Sequence, residues 1–180
     1  MGARSAVLSD GVVTLRAWEP NDAAAVFRAC QDADIQRFLP VPRPYTEASA
    51  RDFVAIRRAD WDGDEERSFA ITDARTGEVL GSIARHRRAA HRAEFGYWVA
   101  AQARGRGVAT RALRLMADWS LAAGFIRLEL FTHPDNHASG RVAERAGFTR
   151  EGLRRAWNLD RDGNPEDAIF FVLVRGDPPG

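Results

Sequence analysis

Residues 102–110 read Gln-Ala-Arg-Gly-Arg-Gly-Val-Ala-Thr and run without a break into a helix-forming stretch. No other segment constrains the fold as tightly. Gly105 and Gly107 let the backbone turn sharply and approach a ligand with no Cβ in the way. The first turn of a helix leaves backbone N–H groups without intrahelical partners, and the helix dipole favours negative charge there. Arg104 and Arg106 add side-chain positive charge. The segment therefore predicts an anion cradle at a helix start, with a phosphate or pyrophosphate as its guest. It is not a P-loop: all 26 basic residues are arginine, so no lysine fills the required position. A dinucleotide fingerprint would need a third glycine where Thr110 stands.

The helix after the glycines runs to about Ala123, because Val108, Ala112, Leu115, Met116 and Trp119 recur at helical spacing while Arg111, Arg114 and Asp118 fall opposite. Upstream, Val12 to Trp18 reads as a strand. A helix follows near Pro20, with Val26, Phe27 and Cys30 on one side. Three prolines stiffen a loop from Arg37 to Tyr45, and Thr46 caps a second helix through about Asp60. Strand patterns cover Arg67 to Thr72, Glu78 to Arg88 and His91 to Val99. Downstream come a strand at Ile126 to Thr132, a short helix at His137 to Ala146, and strands at Thr149 to Leu159 and Ala168 to Val174. Strands run together first and then alternate with helices, which argues a mixed α/β sheet with helices on its faces.

A length of 180 residues fits one domain over the whole chain, with residues 176–180 as a loose tail. The net charge of +1 projects no field toward nucleic acid. A single cysteine, Cys30, excludes an internal disulfide and sits in an apolar stretch as a buried thiol. No apolar run approaches the ~18 residues of a membrane span, and no signal-peptide pattern opens the chain, so a cytoplasmic setting is expected. His133 and His137 bracket Asp135, but Pro134 keeps both off one helix face and no third ligand is in view; no metal is expected.

Three blocks fall in order: Glu94-Phe95-Gly96-Tyr97-Trp98-Val99, then Gln102-x-x-Gly105-x-Gly107, then Asn136-x-x-Ser139 followed by Gly147-Phe148. From Val12 to Val174 the chain resembles the GNAT superfamily of acetyl-CoA-dependent N-acetyltransferases. It is most similar to the branch that acetylates N-terminal alanines of ribosomal proteins. The resemblance implies a mostly antiparallel sheet of about seven strands, splayed between the fourth and fifth, with helices on both faces. It implies that the pantetheine arm of acetyl-CoA lies in that gap beside Trp98 and Val99. The pyrophosphate would sit on the amides of Arg104, Gly105, Arg106, Gly107, Val108, Ala109 and Thr110. Asn136 resembles the residue that hydrogen-bonds the pantetheine arm, its alternative being a plain turn residue. A homodimer is compatible with the family.

The chemistry needs an amine to lose its proton, attack a thioester carbonyl and expel a thiolate. Glu94 is the candidate base, directly or through a water; the alternative is a surface carboxylate paired with a nearby arginine. Neither Tyr45 nor Tyr97 follows Gly147-Phe148, where many members of the superfamily carry a tyrosine acid. In the similar branch a serine does that work, so Ser139 is the expected acid; the alternative is an ordinary helix-cap hydroxyl. The expected acceptor is the α-amine of a protein or peptide. The alternatives are a small amine such as an aminoglycoside, polyamine or amino-acid-like molecule, or a non-catalytic acetyl-CoA sensor on the ribosome. The run Arg85-His86-Arg87-Arg88 reads as a solvated turn, with RNA contact as its alternative. The proline loop is a candidate wall for the acceptor pocket, and the cluster Asp60, Asp62, Asp64, Glu65 and Glu66 a candidate attractor of a cationic amine; the alternative for each is a plain surface loop.

Overall fold

In the computed structural model, which describes residues 6–177, one eight-stranded sheet organises the chain. The strands are β1 (Leu8–Ser9), β2 (Val13–Arg16), β3 (Glu66–Asp73), β4 (Val79–Ala89), β5 (Arg92–Val99), β6 (Arg127–Thr132), β7 (Thr149–Leu159) and β8 (Pro165–Val174). Their order across the sheet is β1-β2-β3-β4-β5-β6-β8-β7. Every neighbouring pair is antiparallel except β5 with β6, which is parallel. The expected count of about seven strands is exceeded by the two-residue β1, too short to announce itself by alternation. Residues 178–180 of the expected tail lie outside the described residues.

Five α-helices flank the sheet: α1 (Ala23–Ala29), α2 (Ala33–Phe38), α3 (Glu47–Ala59), α4 (Val108–Ala122) and α5 (His137–Arg145). Each boundary has a local cause. The Thr46 hydroxyl accepts from the Ser49 amide to open α3, and the Asp32 carboxylate accepts from the Ile35 amide to open α2. Asn136 opens α5 by accepting from the Ser139 amide at 3.1 Å. The helix α2 falls inside what reads in sequence partly as loop. It has six residues and one buried apolar side chain, Ile35, so no period develops.

Two cores sandwich the sheet. On one face α4 buries Val108, Ala112, Leu113 and Met116 against Leu15, Phe69, Ile83, Phe95 and Leu128. On the other, α1 and α3 bury Val26, Ala50 and Val54 with Trp18 and Tyr45. A fully buried side chain such as Leu113 or Met116 contributes about 2 kcal/mol. The Cys30 thiol is buried in the second core, where burial pushes its pKa up, and the Tyr45 hydroxyl hydrogen-bonds to it.

The parallel pair positions everything that follows. It starts in register at Arg92 with Arg127, Ala93 with Leu128 and Glu94 with Glu129, then stops. Phe95 to Val99 on β5 and Leu130 to Thr132 on β6 have no partner across the gap, so the sheet splays at its centre. Counted without the two-residue β1, these are the fourth and fifth strands, between which the family resemblance implies the splay. At the far end of β5, Gly81 of β4 lies so near the Trp98 carbonyl oxygen that a Cβ there would collide with it. Among the described residues no helix is long and apolar enough to cross a membrane.

Candidate active site

Two cavities open at the splay. One, of about 560 Å³, runs from the glycine loop past Trp98 and Val99 to Ser139. The other, of about 1000 Å³, holds Glu94 and Gly96 and is walled by the proline loop. They share Arg37, Phe38, Leu39, Tyr97, Asn136 and Ser139. The two cavities thus adjoin at the gap between β5 and β6.

The first cavity ends at the cradle. Gly105 and Gly107 both take φ of +74°, a left-handed conformation that side chains disfavour. Gly107 opens α4, and the first helical bond runs from the Arg111 amide to its carbonyl. Among the described residues the amides from Gly105 to Thr110 have no hydrogen-bond partner. The arginines contribute less than their charge suggests. The Arg104 guanidinium pairs with Asp32 and Asp34, and holds the Asp32 carboxyl below its usual range. Arg106 turns away to Asp73 at 3.6 Å and does not line the cavity. Of the two loop arginines only Arg104 lines the cavity, already paired with Asp32 and Asp34, and the unbonded amides are the donors the loop leaves free.

At the junction, Asn136 uses its carbonyl oxygen to cap α5, which leaves its NH₂ group as a donor. The cap is Asn136 and not Ser139. The Ser139 hydroxyl instead lies 2.8 Å from the Tyr97 hydroxyl, which reaches it from β5. Burial pushes the Tyr97 phenol up to about 12 against the opposing pull of that hydrogen bond. The sequence offered no signal for this contact, because 42 positions separate the two residues.

In the second cavity, Glu94 is 14% exposed at its side chain and accepts from Arg88 Nη2 at 2.8 Å. It therefore both faces the cavity and carries an arginine partner. His86 lies beside it in register across β4 and β5, and burial lowers the imidazole's pKa, aided by Arg88. The proline loop walls this cavity from Arg37 to Arg43. It is held by Arg161, whose guanidinium donates to the carbonyls of Gln36, Leu39 and Val41. Asp160, Asp162, Glu166 and Asp167 supply the carboxylates of the wall.

Two charge readings are overturned. The basic run lies on β4 and not in a turn, and its arginines are buried or paired. Arg85 is buried, stacked over Trp119 at 4.5 Å and Phe125 at 4.7 Å, and its pKa falls to about 10 because it is desolvated. Arg87 pairs with Asp64 and Arg88 with Glu94. In the acidic cluster Asp60 and Glu66 pair with Arg57 and Asp64 with Arg67 and Arg87, while Glu65 is exposed with no ion pair among the described residues; none of these four lines either cavity. The Asp62 side chain lies outside the described ones. His133 stands 3.5 Å from Glu166, and among the described residues no group of three or more His, Cys, Asp or Glu is placed to hold a metal.

A sheet split at its centre beside an amide-lined glycine turn is the arrangement that the family resemblance implies. The family model described as the acetyltransferase (GNAT) domain matches residues 13–149. The chain belongs to this family and is an acetyl-CoA-dependent N-acetyltransferase. It is 30% identical over 137 residues to the probable N-acetyltransferase YjcK of Bacillus subtilis, covering 74% of this chain and 75% of that one. Among solved structures, RimJ of Mycobacterium smegmatis in complex with CoA-disulfide is 26% identical with a TM-score of 0.81, covering 97% of this chain and 88% of that one. RimL, a ribosomal L7/L12 alpha-N-protein acetyltransferase in complex with coenzyme A, shares the fold at a TM-score of 0.82 and 21% identity, with 94% and 98% covered.

Proposed function

We propose that this enzyme acetylates the N-terminal α-amine of a protein or peptide. The observation that carries the reading is the meeting of the two cavities at Ser139, with Glu94 in the larger one. Acetyl-CoA fits the smaller cavity. Its pyrophosphate would be held by the amides of Gly105 to Thr110, and its pantetheine arm by the unpaired edge of β5 at Trp98 and Val99 and by the Asn136 amide. That would bring the thioester to the splay.

The acceptor enters from the side of the proline loop. The carboxylates of the wall favour an ammonium group there, and the volume accommodates the first residues of a chain. Glu94 takes the ammonium proton, directly or through a water. The neutral nitrogen attacks the carbonyl carbon, and backbone N–H groups of β5 that face the gap steady the oxyanion. The C–S bond then breaks and sulfur takes the electron pair, with the Ser139 hydroxyl as its hydrogen-bond donor; the second nitrogen proton passes to solvent, leaving the amide and the coenzyme A thiolate. No covalent enzyme intermediate forms. The relatives named for acetylation of a protein α-amine support this acceptor class.

The test is a substrate panel. Peptides with a free N-terminal alanine or serine should turn over, and the same peptides with a blocked terminus should not. Turnover of aminoglycosides, polyamines or free amino acids alone would move the assignment to small amines. Acetyl-CoA binding with no acceptor turned over would favour a sensor.

A further inference from the structure

The bond between Tyr97 and Ser139 joins the two sides of the site, and neither hydroxyl has another side-chain partner among the described residues. From the geometry we infer that Tyr97 is a positioning residue: its O–H donates to Ser139 Oγ and thereby turns the single serine proton toward the leaving sulfur.

Distance and acidity set the direction of the bond. The Tyr97 hydroxyl is 2.8 Å from Ser139 Oγ and 3.3 Å from the Ser139 carbonyl oxygen, so the serine hydroxyl is the nearer acceptor. A phenol is a far stronger acid than an alcohol, so the phenol donates and the alcohol accepts. An alcohol that has accepted one bond still has its own proton to give. The Ser139 amide is fixed by Asn136, which anchors the helix start, and the hydroxyl itself is held by the Tyr97 bond. Ser139 lines both cavities, and the direction left open to its proton is the gap. Burial holds the phenol protonated well above neutral pH, so it remains a donor throughout turnover. When the C–S bond breaks, the electron pair goes to sulfur and the Ser139 proton is shared with it. The proton stays on Ser139 as a hydrogen bond to the thiolate, and Tyr97, keeping its own, polarises that hydroxyl as a donor.

This inference rests on Ser139 as the donor to sulfur, and the experiment separates the two claims. The probe is coenzyme A itself. The pKa of its enzyme-bound thiol is read from thiolate ultraviolet absorbance across a pH series, for the wild type, Ser139→Ala, Tyr97→Phe and the double variant. A hydrogen bond from Ser139 stabilises the thiolate, so Ser139→Ala should raise the bound thiol pKa by about one unit, a tenfold change. Tyr97→Phe should raise it by a similar amount, and the double variant no further than Ser139→Ala alone. In turnover, Tyr97→Phe should lower kcat about tenfold with KM for acetyl-CoA unchanged. Thermal unfolding of each variant shows whether the fold is retained. If Ser139→Ala leaves the bound thiol where it was, the Ser139 assignment falls, and the Tyr97 role with it. If Ser139→Ala raises the pKa and Tyr97→Phe does not, only the Tyr97 role falls. Equal losses from Tyr97→Phe with and without Ser139 would also overturn it, because they would reflect packing.

Discussion

At the scale of single residues, the site departs from its sequence in the pairing of charges. Glycine turns are local, so the tight backbone at Gly105 and Gly107 was legible. Whether Arg104 is free, or Arg85 solvated, depends on carboxylates and aromatic rings that the fold brings from elsewhere. Tyr97 was set aside in sequence because it lies on the wrong segment for a tyrosine acid, yet its hydroxyl arrives beside Ser139 from the strand. Glu94 supplies a prediction at this scale. As the proton acceptor it matters most where the amine is protonated. Glu94→Gln should lower kcat/KM about a hundredfold near pH 6–7, and the deficit should shrink above about pH 8 as free α-amine accumulates. A pH–rate profile parallel to that of the wild type would remove Glu94 as base and leave it as Arg88's partner.

At the scale of elements, the splay of β5 from β6 was expected from the family resemblance; periodicity alone gave only the two strands. Nothing in sequence announced α2, whose six residues nevertheless place Arg37 and Phe38 in both cavities. Arg37 also pairs with Asp135 at 2.9 Å, tying the end of α2 to the turn before α5. The β7–β8 turn does the same from the other side through Arg161. These contacts hold the acceptor wall and touch nothing in the glycine loop. Arg161→Ala should therefore raise KM for the peptide acceptor about fivefold while leaving acetyl-CoA affinity unchanged, since one charged hydrogen-bond set is worth on the order of 1 kcal/mol at an exposed position. Steady-state kinetics against each substrate in turn checks it. Equal effects on both substrates would mean that the wall and the cofactor cleft move together.

At the scale of the whole molecule, stability should fall in two stages as pH drops. Burial lowers the folded pKa of His86, so between the ordinary histidine range near 6.5 and that lower value the unfolded chain binds a proton the folded chain does not. Stability therefore declines first below about pH 6.5. The carboxyls of Asp32, held low by Arg104, and Glu151, held low by Arg127, stabilise the fold above their unfolded range. Their contribution is lost below about pH 4. The thermal midpoint across pH should show both declines, and His86→Gln should remove the first alone. In the proposed mechanism every later step depends on acetyl-CoA being held by the backbone amides of the glycine loop. A side chain at Gly107 is incompatible with its φ of +74° and would turn the amides from the cleft. The measurement is calorimetric titration of acetyl-CoA into the wild type and Gly107→Val, with NADH as the control nucleotide and thermal unfolding to show that the variant folds. The account predicts saturable binding of acetyl-CoA and none of NADH by the wild type, with affinity at least about tenfold weaker in the variant. Full affinity in a folded Gly107→Val would contradict it and place the cosubstrate elsewhere.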